Sequence, residues 1–266
     1  MIEPTGPREA QLIETSNILL DARRTGVLID DLPVELRPTT MDEVYFVQGL
    51  IAQAYTTPED GIGGWKIGAP NPEATPAYAP LPKVWIAPSG ALLSGSQWRY
   101  RGLEAEIAFL LGADLPPRSD TPYTREEVLA AVASCHPVIE VLESGLLDPM
   151  KADRMSMLAD LQMHGGLVYG APVPEWQSID WTQETVALAV DGSIRVERTG
   201  SNTSGDFVKL LPWLANEGAI RTRGLYAGQW ITTGSWTGNT LAMGQSSVDV
   251  RFHTAGRVTL RYSVED

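Results

Sequence analysis

Two glutamates stand two residues apart in the apolar run "RGLEAEIAFLLG", residues 101–112. Side chains on a β-strand alternate between faces, so Glu104 and Glu106 share one face, with Cα atoms roughly 6.5–7 Å apart. Carboxylates this close repel each other unless one takes up a proton. A hard divalent cation such as Mg²⁺ or Mn²⁺ also removes the repulsion, because these ions prefer oxygen ligands. An ordinary solvated strand face is the alternative interpretation.

Other side chains with chemical potential occur on neighbouring predicted strands. A third carboxylate, Glu140, lies in "PVIEVLES", and Lys66 lies between glycines in "GGWKIGAP". Glycine lets a backbone approach a ligand closely, and a strand lysine either extends to the surface or is held in a site. Ser235 and Thr237 in "GSWTG" are hydroxyl donors for a pocket or members of a polar turn.

Asp160 and His164 occur together in "LADLQMHGG". Imidazole titrates near neutrality, so His164 is a candidate general acid or base, with a hydrogen-bonded structural histidine as the alternative. The single cysteine, Cys135, excludes an internal disulfide and a cysteine-rich zinc site.

The charge of the chain limits its partners. Its 266 residues carry a formal net charge of −13, which disfavours nucleic acid and anionic membranes. We see no signal peptide and no run of roughly 18 apolar residues that could span a membrane. We therefore expect a cytoplasmic protein.

The elements that must position these residues follow from periodicity and turn signals. Helical spacing predicts helices over 9–26 and 39–55, the second with a capping box at Thr40 and Glu43. The proline-rich segment 69–82 reads as a loop, and a short helix from Thr124 to about Cys135 precedes a strand after Pro137. Further predicted strands cover 63–68, 83–87 and 101–112. The last hundred residues contain more strands, with a hairpin turn at 191–192, and a helix over 207–218 that Pro212 must break or kink.

Helices first and strands afterwards predict an α+β fold. We predict a single domain over residues 1–266. Within it, residues 1–60 form an N-terminal helical layer, and residues 61–266 form a largely antiparallel or mixed β core.

The order and spacing of these motifs resemble the 2-keto-4-pentenoate hydratase and 2-oxo-3-hexenedioate decarboxylase group of the fumarylacetoacetate hydrolase superfamily. The similarity runs over most of the chain. It rests on "LLDARRTGVLID", "TTMDEVYFVQ", "GGWKIGAP", "LEAEIAFLLGADLP", "PVIEVLES" and the final "AGQWITTGSWTG".

The resemblance implies that the core over residues 61–266 is a metal-binding mixed β-sandwich or roll, with a Mg²⁺ or Mn²⁺ ion bound by Glu104, Glu106 and Glu140. It implies a small 2-oxo or 2-hydroxydienoate acid as substrate, with hydration as the reaction and decarboxylation of a vinylogous 2-keto acid as the alternative. Catalytic roles are then expected for Lys66, Asp160 and His164, and substrate contacts for Trp65, Ser235 and Thr237. A homo-oligomer is expected, which can join a partner enzyme of the same pathway.

The sequence departs from the group's pattern in two places. The segment 69–82 offers only Glu73 where hydratases of the group carry acidic residues, and residues 161–164 differ from the usual small and amide residues. His164 is therefore our candidate replacement for a proton-handling group. A C–C bond hydrolase is a rival interpretation, but the chain has no histidine before residue 136 for the usual His–Glu pair. A catalytically weak scaffold is the other rival.

Overall fold

Helices form the first part of the chain in the computed structural model, which describes residues 5–57 and 61–263. Helix α1 (Pro7–Thr25) ends at Gly26, whose φ of 76° is left-handed and suits glycine. Helix α2 (Met41–Gln53) begins at Thr40, whose hydroxyl accepts a hydrogen bond from the Glu43 backbone N–H. The Glu43 carboxylate accepts in return from the Thr39 N–H, so only half of the predicted capping box is formed. The boundary predicted at residue 60 lies outside the described residues.

The N-terminal helical layer packs on residues 146–163, which follow the strand that ends at Leu142. Helix α4 (Arg154–Ala159) and the 3₁₀ turn Leu161–Met163 lie in this segment, after the short α3 (Arg125–Ala130). The apolar contact between layer and segment includes Leu12, Leu19, Val47, Ile51, Leu146 and Leu161. The layer therefore supports residues 160–164, which the sequence singles out for chemistry.

Within the described residues, thirteen strands make two mixed sheets. They are β1 (Ile62–Gly68), β2 (Ala77–Pro82), β3 (Ile86–Pro88), β4 (Ala91–Leu93), β5 (Gly102–Leu111), β6 (Val132–Leu142), β7 (His164–Tyr169), β8 (Thr185–Val190), β9 (Ser193–Thr199), β10 (Trp230–Thr232), β11 (Thr240–Leu241), β12 (Ser247–Phe252) and β13 (Gly256–Tyr262). The first sheet has the order β2-β1-β10-β5-β6-β7-β3, with β11 beside β5, and the second has β4-β13-β12-β8-β9. Helices α5 (Leu210–Trp213) and α6 (Ala219–Thr222) flank a π segment. The predicted α+β fold with a mixed β core is confirmed.

Two local predictions around the proline-rich segment are wrong. Residues 77–82 are not loop but strand β2, which tolerates its prolines because it lies at the edge of the sheet. Residues 83–85 form a 3₁₀ turn, and only then does β3 begin.

The predicted start of the strand around Pro137 is also wrong. Strand β6 begins at Val132, because α3 ends at Ala130 rather than near residue 135. Pro137 lacks an N–H for the ladder, but it faces Gly170, just beyond the end of β7. The Gly170 carbonyl contacts His136 Nδ1 at 2.8 Å instead of a backbone N–H, so the ladder accepts the proline.

The first sheet uses its two faces differently. One face packs against the second sheet through residues such as Ile107, Phe109 and Ile139. The apolar cluster that they join also contains residues of β8 and β12, namely Val186, Leu188, Val248 and Val250. The other face carries a smaller apolar cluster of Leu81, Ala108, Val138, Leu167 and Trp230.

The first sheet curls, since β2 approaches β7 although four strands separate them in the strand order. The smaller apolar cluster joins residues of β2, β5, β6, β7 and β10, so it fills the inside of the curl. Strand alternation puts Glu104, Glu106 and Glu140 on this same inner face, beside the apolar filling. Among the described helices, none is long and apolar enough to cross a membrane.

Candidate active site

Three carboxylates meet on adjoining strands inside the curl. Glu104 of β5 is paired directly with Glu140 of β6, and Glu106 lies two residues further along the same face. One carboxylate oxygen from each of the three lies within 4.8 Å of those from the other two. The structure therefore brings together the three residues that the sequence predicts as metal ligands.

The surroundings of these carboxylates fit a divalent cation. Burial and the neighbouring Glu140 raise the pKa of Glu104 to about 7, and burial with both other carboxylates raises the pKa of Glu106. Glu140 keeps a lowered pKa because Lys66 and His164 outweigh its burial. Its Oε2 atom has no hydrogen-bond partner among the described residues. A buried group of oxygen ligands short of positive charge is the kind of site that Mg²⁺ occupies.

Lys66 projects from β1 into this group. Its Nζ lies 2.6 Å from Glu140 Oε1 and donates to the Gln162 carbonyl at 3.0 Å. Burial lowers the pKa of Lys66, but the three glutamates raise it by more, so the ammonium stays charged. An ammonium has three N–H donors, and within residues 5–57 and 61–263 two of them are engaged. Gly64 is required nearby, because a Cβ there would collide with the Trp230 carbonyl oxygen.

His164 lies on the other side of Glu140 and is fully buried. Its Nδ1 is 2.9 Å from Glu140 Oε1, and its ring lies 5.9 Å from that of Trp85. Burial lowers the pKa of His164, so the ring is neutral at pH 7. The contact with a carboxylate assigns the proton to Nδ1, which leaves Nε2 as an acceptor that has no partner in the described part of the chain.

The residues before His164 form an unusual turn. Leu161, Gln162 and Met163 have φ values of 53°, 50° and 65°. Left-handed backbone costs a non-glycine residue about 1–2 kcal/mol, so three in succession need support from their surroundings. This turn carries the Gln162 carbonyl that meets Lys66, and the residues in which the sequence departs from the family pattern.

Asp160, predicted to be catalytic, lies outside the carboxylate group and forms contacts with Arg23, Ser144 and Gly145. Its Oδ1 lies 2.5 Å from Arg23 Nε, and its Oδ2 accepts hydrogen bonds from Ser144 Oγ and the Gly145 N–H at 2.6 and 2.8 Å. Both oxygens are therefore engaged in a fully buried ion pair and turn. This geometry favours a positioning role for Asp160 over proton transfer to a substrate.

The three predicted substrate contacts are separated. Burial raises the pKa of Glu104 and the Ser235 side chain opposes that rise, so Ser235 borders the carboxylate group. Thr237 accepts from the Ala105 N–H at 3.0 Å and donates to the Gly238 carbonyl at 3.1 Å, which fastens its turn to β5. Trp65 points to the opposite face of β1 from Lys66, where it packs edge-on against Tyr78 and donates to Gln229.

Several site residues escaped the sequence analysis. Thr232 and the Gly234 N–H both donate to Glu106 Oε2. The segment "WITTGS" could have indicated them, because it places the Thr232 hydroxyl two residues before a glycine. The Gln162 carbonyl and Arg23 gave no local signal. Glu73, the only acid of segment 69–82, is exposed in a turn.

The family follows from a comparison with known protein families. Residues 52–264 match the family described as fumarylacetoacetate (FAA) hydrolase C-terminal. The chain belongs to the FAA hydrolase family. The match covers β1, β5, β6 and β10, the strands that carry the carboxylate group, Lys66 and Thr232.

Individual relatives narrow the class of enzyme. The chain is 26% identical to a 4-oxalocrotonate decarboxylase of Pseudomonas putida over 202 residues, which cover 76% of this chain and 75% of that protein. It is 30% identical to a 2-hydroxyhexa-2,4-dienoate hydratase of Comamonas testosteroni over 132 residues, covering 50% and 48%. A solved 4-oxalocrotonate decarboxylase from Pseudomonas putida G7, complexed with magnesium and adipate, has a TM-score of 0.81 at 23% identity, covering 98% of this chain and all of that one.

These similarities confirm the predicted superfamily and its hydratase and decarboxylase group, and they confirm the predicted fold. The predicted class of lyase is confirmed as well, because the relatives are a decarboxylase and a hydratase. The roles of single residues stay predictions.

Proposed function

We propose that this lyase decarboxylates an unsaturated 2-oxo diacid with the help of a divalent metal ion. The observation that carries the proposal is the buried group in which Lys66 meets Glu104, Glu106 and Glu140. That group combines oxygen ligands for a cation with a charged donor for an acidic substrate. The decarboxylase relatives, which cover most of the chain, support the choice of reaction.

The three glutamates would hold the metal, for which we propose Mg²⁺. An all-oxygen ligand set suits Mg²⁺ and also Mn²⁺, and the solved decarboxylase of P. putida G7 contains magnesium. When bound, the ion supplies Lewis-acid stabilisation of the negative charge that develops on the 2-oxygen of the substrate. Calorimetric titration with each ion compares their affinities.

Side chains of the protein would bind the substrate and orient the carboxylates that hold the metal. The remaining N–H of Lys66 is suited to a charge-assisted hydrogen bond with a substrate carboxylate. The neutral ring of His164 donates to Glu140 and fixes the orientation of that carboxylate, as outer hydrogen bonds do for metal ligands. Ser235 lies beside Glu104, where its hydroxyl is suited to a hydrogen bond with the substrate. Nε2 of His164 stays available as a proton acceptor, in keeping with its predicted catalytic role.

The supply of proton-transfer groups favours decarboxylation over hydration. In 2-oxohex-3-enedioate the C5–C6 bond breaks and CO₂ leaves, while the electron pair shifts through the C3=C4 double bond to the 2-oxygen. The 2-enolate oxygen then takes a proton from solvent to give a 2-hydroxydienoate, so no carbon atom receives a proton. Hydration of such a dienoate requires protons on two carbon atoms and an activated water. Asp160 is engaged with Arg23 and Glu73 is exposed, so neither supports that demand.

Hydration is the second candidate because of the 30% identity to the dienoate hydratase. A C–C bond hydrolase and an inactive scaffold are the remaining alternatives. One assay distinguishes all four, including decarboxylase and hydratase. The wild-type protein with Mg²⁺ is given the diacid or the 2-hydroxydienoate, and the products are identified by ¹³C NMR. We expect CO₂ and a dienoate from the diacid. A hydratase would instead convert the dienoate to a 4-hydroxy-2-oxo acid, a hydrolase would cleave a C–C bond by adding water, and a scaffold would leave both substrates unchanged.

We propose a homo-oligomer that associates with a partner enzyme of the same reaction sequence. A 2-hydroxydienoate product is reactive, which makes direct transfer to a consuming enzyme useful. Light scattering of the purified protein measures its oligomeric state, and co-purification with a dienoate hydratase tests the association.

A further inference from the structure

Arg23, in the last turn of α1, reaches from the helical layer to the turn beside the site. Its Nε is paired with Asp160 Oδ1 at 2.5 Å. Its two terminal nitrogens donate to the carbonyls of His164, Glu143 and Asp160 at 3.0, 2.9 and 3.0 Å. The side chain is only 7% exposed. A planar guanidinium with fixed donors is well suited to holding several acceptors in one geometry.

The acceptors of Arg23 stand at both ends of the left-handed turn. Asp160 directly precedes residues 161–163, and His164 directly follows them. Inside the turn the Met163 N–H donates to the Asp160 carbonyl at 2.9 Å, and the Glu143 N–H donates to the Met163 carbonyl at 2.8 Å. Backbone in a sparsely populated conformation persists where surrounding contacts hold it, and Arg23 supplies such contacts at both ends.

The turn 161–163 positions the two side chains that contact Glu140, namely Lys66 and His164. The Gln162 carbonyl accepts from Lys66 Nζ at 3.0 Å, and His164 Nδ1 lies 2.9 Å from Glu140 Oε1. The same Glu140 oxygen is 2.6 Å from Lys66 Nζ. A shift of the turn would therefore displace the lysine and the histidine together, on either side of one carboxylate.

We infer that Arg23 is a positioning residue of the active site, which holds the strained turn 161–163 so that Lys66 and His164 converge on Glu140. The inference deepens the proposed function and rests on it for the kinetic readout. It gives the helical layer a part in the reaction although no residue of that layer belongs to the carboxylate group.

A cavity beside Arg23 makes the inference testable by chemical rescue. The cavity has a volume of about 410 Å³, and Arg23, Arg24, Trp85 and Trp98 are among the residues that line it. Arg24 provides a matched control, because it lies on the same helix and the same cavity. Its guanidinium lies over the ring of Tyr55, 5.8 Å from the ring centre.

The experiment compares Arg23→Ala and Arg24→Ala with the wild-type enzyme, with and without millimolar guanidinium. We expect Arg23→Ala to lower kcat about 10²-fold, the scale for misplaced catalytic groups, with little change in the affinity for Mg²⁺. Guanidinium should restore at least part of that kcat in Arg23→Ala and should not restore His164→Asn. Arg24→Ala should retain the wild-type kcat.

A second readout does not depend on activity. The chain has three histidines, so the ¹⁵N signals of His164 can be assigned by single substitution, and at fixed pH they report its hydrogen bond to Glu140. We expect these signals to shift in Arg23→Ala. If that variant does not fold, Arg23→Met with Asp160→Asn removes both charges of the ion pair and takes its place in the kinetic and NMR measurements.

Wild-type kcat with unshifted His164 signals in the folded variant would overturn the inference. So would a loss of kcat that leaves the His164 signals unshifted and that guanidinium does not reverse. A wild-type protein that turns over no 2-oxo acid would refute the proposed function alone, since the NMR readout would still test the positioning.

Discussion

Replacing Glu104 with glutamine should stabilise the metal-free protein at alkaline pH. Glu104 has a pKa of about 7 in the folded chain, raised from 4.5 by burial and by Glu140. A carboxyl group whose pKa is raised by folding favours the folded state below pH 4.5, and this advantage is lost as the pH rises toward 7. At pH 8 the ionised Glu104 therefore destabilises the metal-free protein by at most about 3 kcal/mol relative to acid pH.

Glutamine cannot ionise, so Glu104→Gln removes this penalty. In the presence of a chelator we expect the variant to be more stable than wild type at pH 8, and the difference to shrink to less than about 1 kcal/mol at pH 5. Mg²⁺ should raise the melting temperature of the wild type and have little effect on the variant. Urea unfolding at the two pH values, with thermal melts in Mg²⁺, measures both effects.

Glu73→Gln is the matched control, because it neutralises an exposed carboxylate outside the site and should change neither measurement. The reasoning would be refuted if metal-free Glu104→Gln were no more stable than wild type at pH 8. Equal stabilisation of both proteins by Mg²⁺ would refute the assignment of Glu104 as a ligand.

Three further substitutions test other parts of the structure. Lys66→Met should lower turnover tenfold or more, the effect of losing a charge-assisted contact of about 1.5–3 kcal/mol, while calorimetry should find Mg²⁺ binding retained. Unchanged kinetics would exclude Lys66 from substrate binding. His164→Asn should also bind Mg²⁺ and should lose about 10²-fold in turnover, because Glu140 loses the hydrogen bond that orients it, and a wild-type rate would exclude His164 from catalysis. Arg8 and Thr39 lower the pKa of Glu43 to about 2, so Glu43→Gln should destabilise the protein above pH 4.5 by about 1–2 kcal/mol. That difference should vanish in urea titrations as the pH falls toward 2, and a difference independent of pH would contradict the ion-pair assignment.

The carboxylate group could be predicted from sequence because its key feature is local. The two-residue period of a strand places Glu104 and Glu106 on one face whatever the rest of the fold does. The pairing of Glu104 with Glu140 depends on the register of β5 and β6, which the sequence does not specify; the resemblance to a family supplied it. The predicted start of a helix at Thr124 depended on another local signal, and in the structure Thr124 and Glu127 form a capping box there.

The remaining parts of the site depend on contacts between distant residues. Nothing in the sequence indicates that Asp160 has a partner, yet its carboxylate forms an ion pair with Arg23, 137 residues away in the chain. Trp65 adjoins Lys66 in the chain, but strand alternation sends the two side chains to opposite faces. The prolines of segment 69–82 suggested a loop, because the edge position that lets β2 keep them is known only from the sheet order.

The most direct test measures CO₂ released from 2-oxohex-3-enedioate by chelator-treated protein, before and after Mg²⁺ is restored, in the wild type and in Glu106→Gln. We predict release by the wild type with Mg²⁺, none without the ion, and none above background from the folded variant in either condition. Release that persists in the chelator or in Glu106→Gln would contradict a reaction that depends on a metal held by the three glutamates, as would a wild type that stays inactive with Mg²⁺.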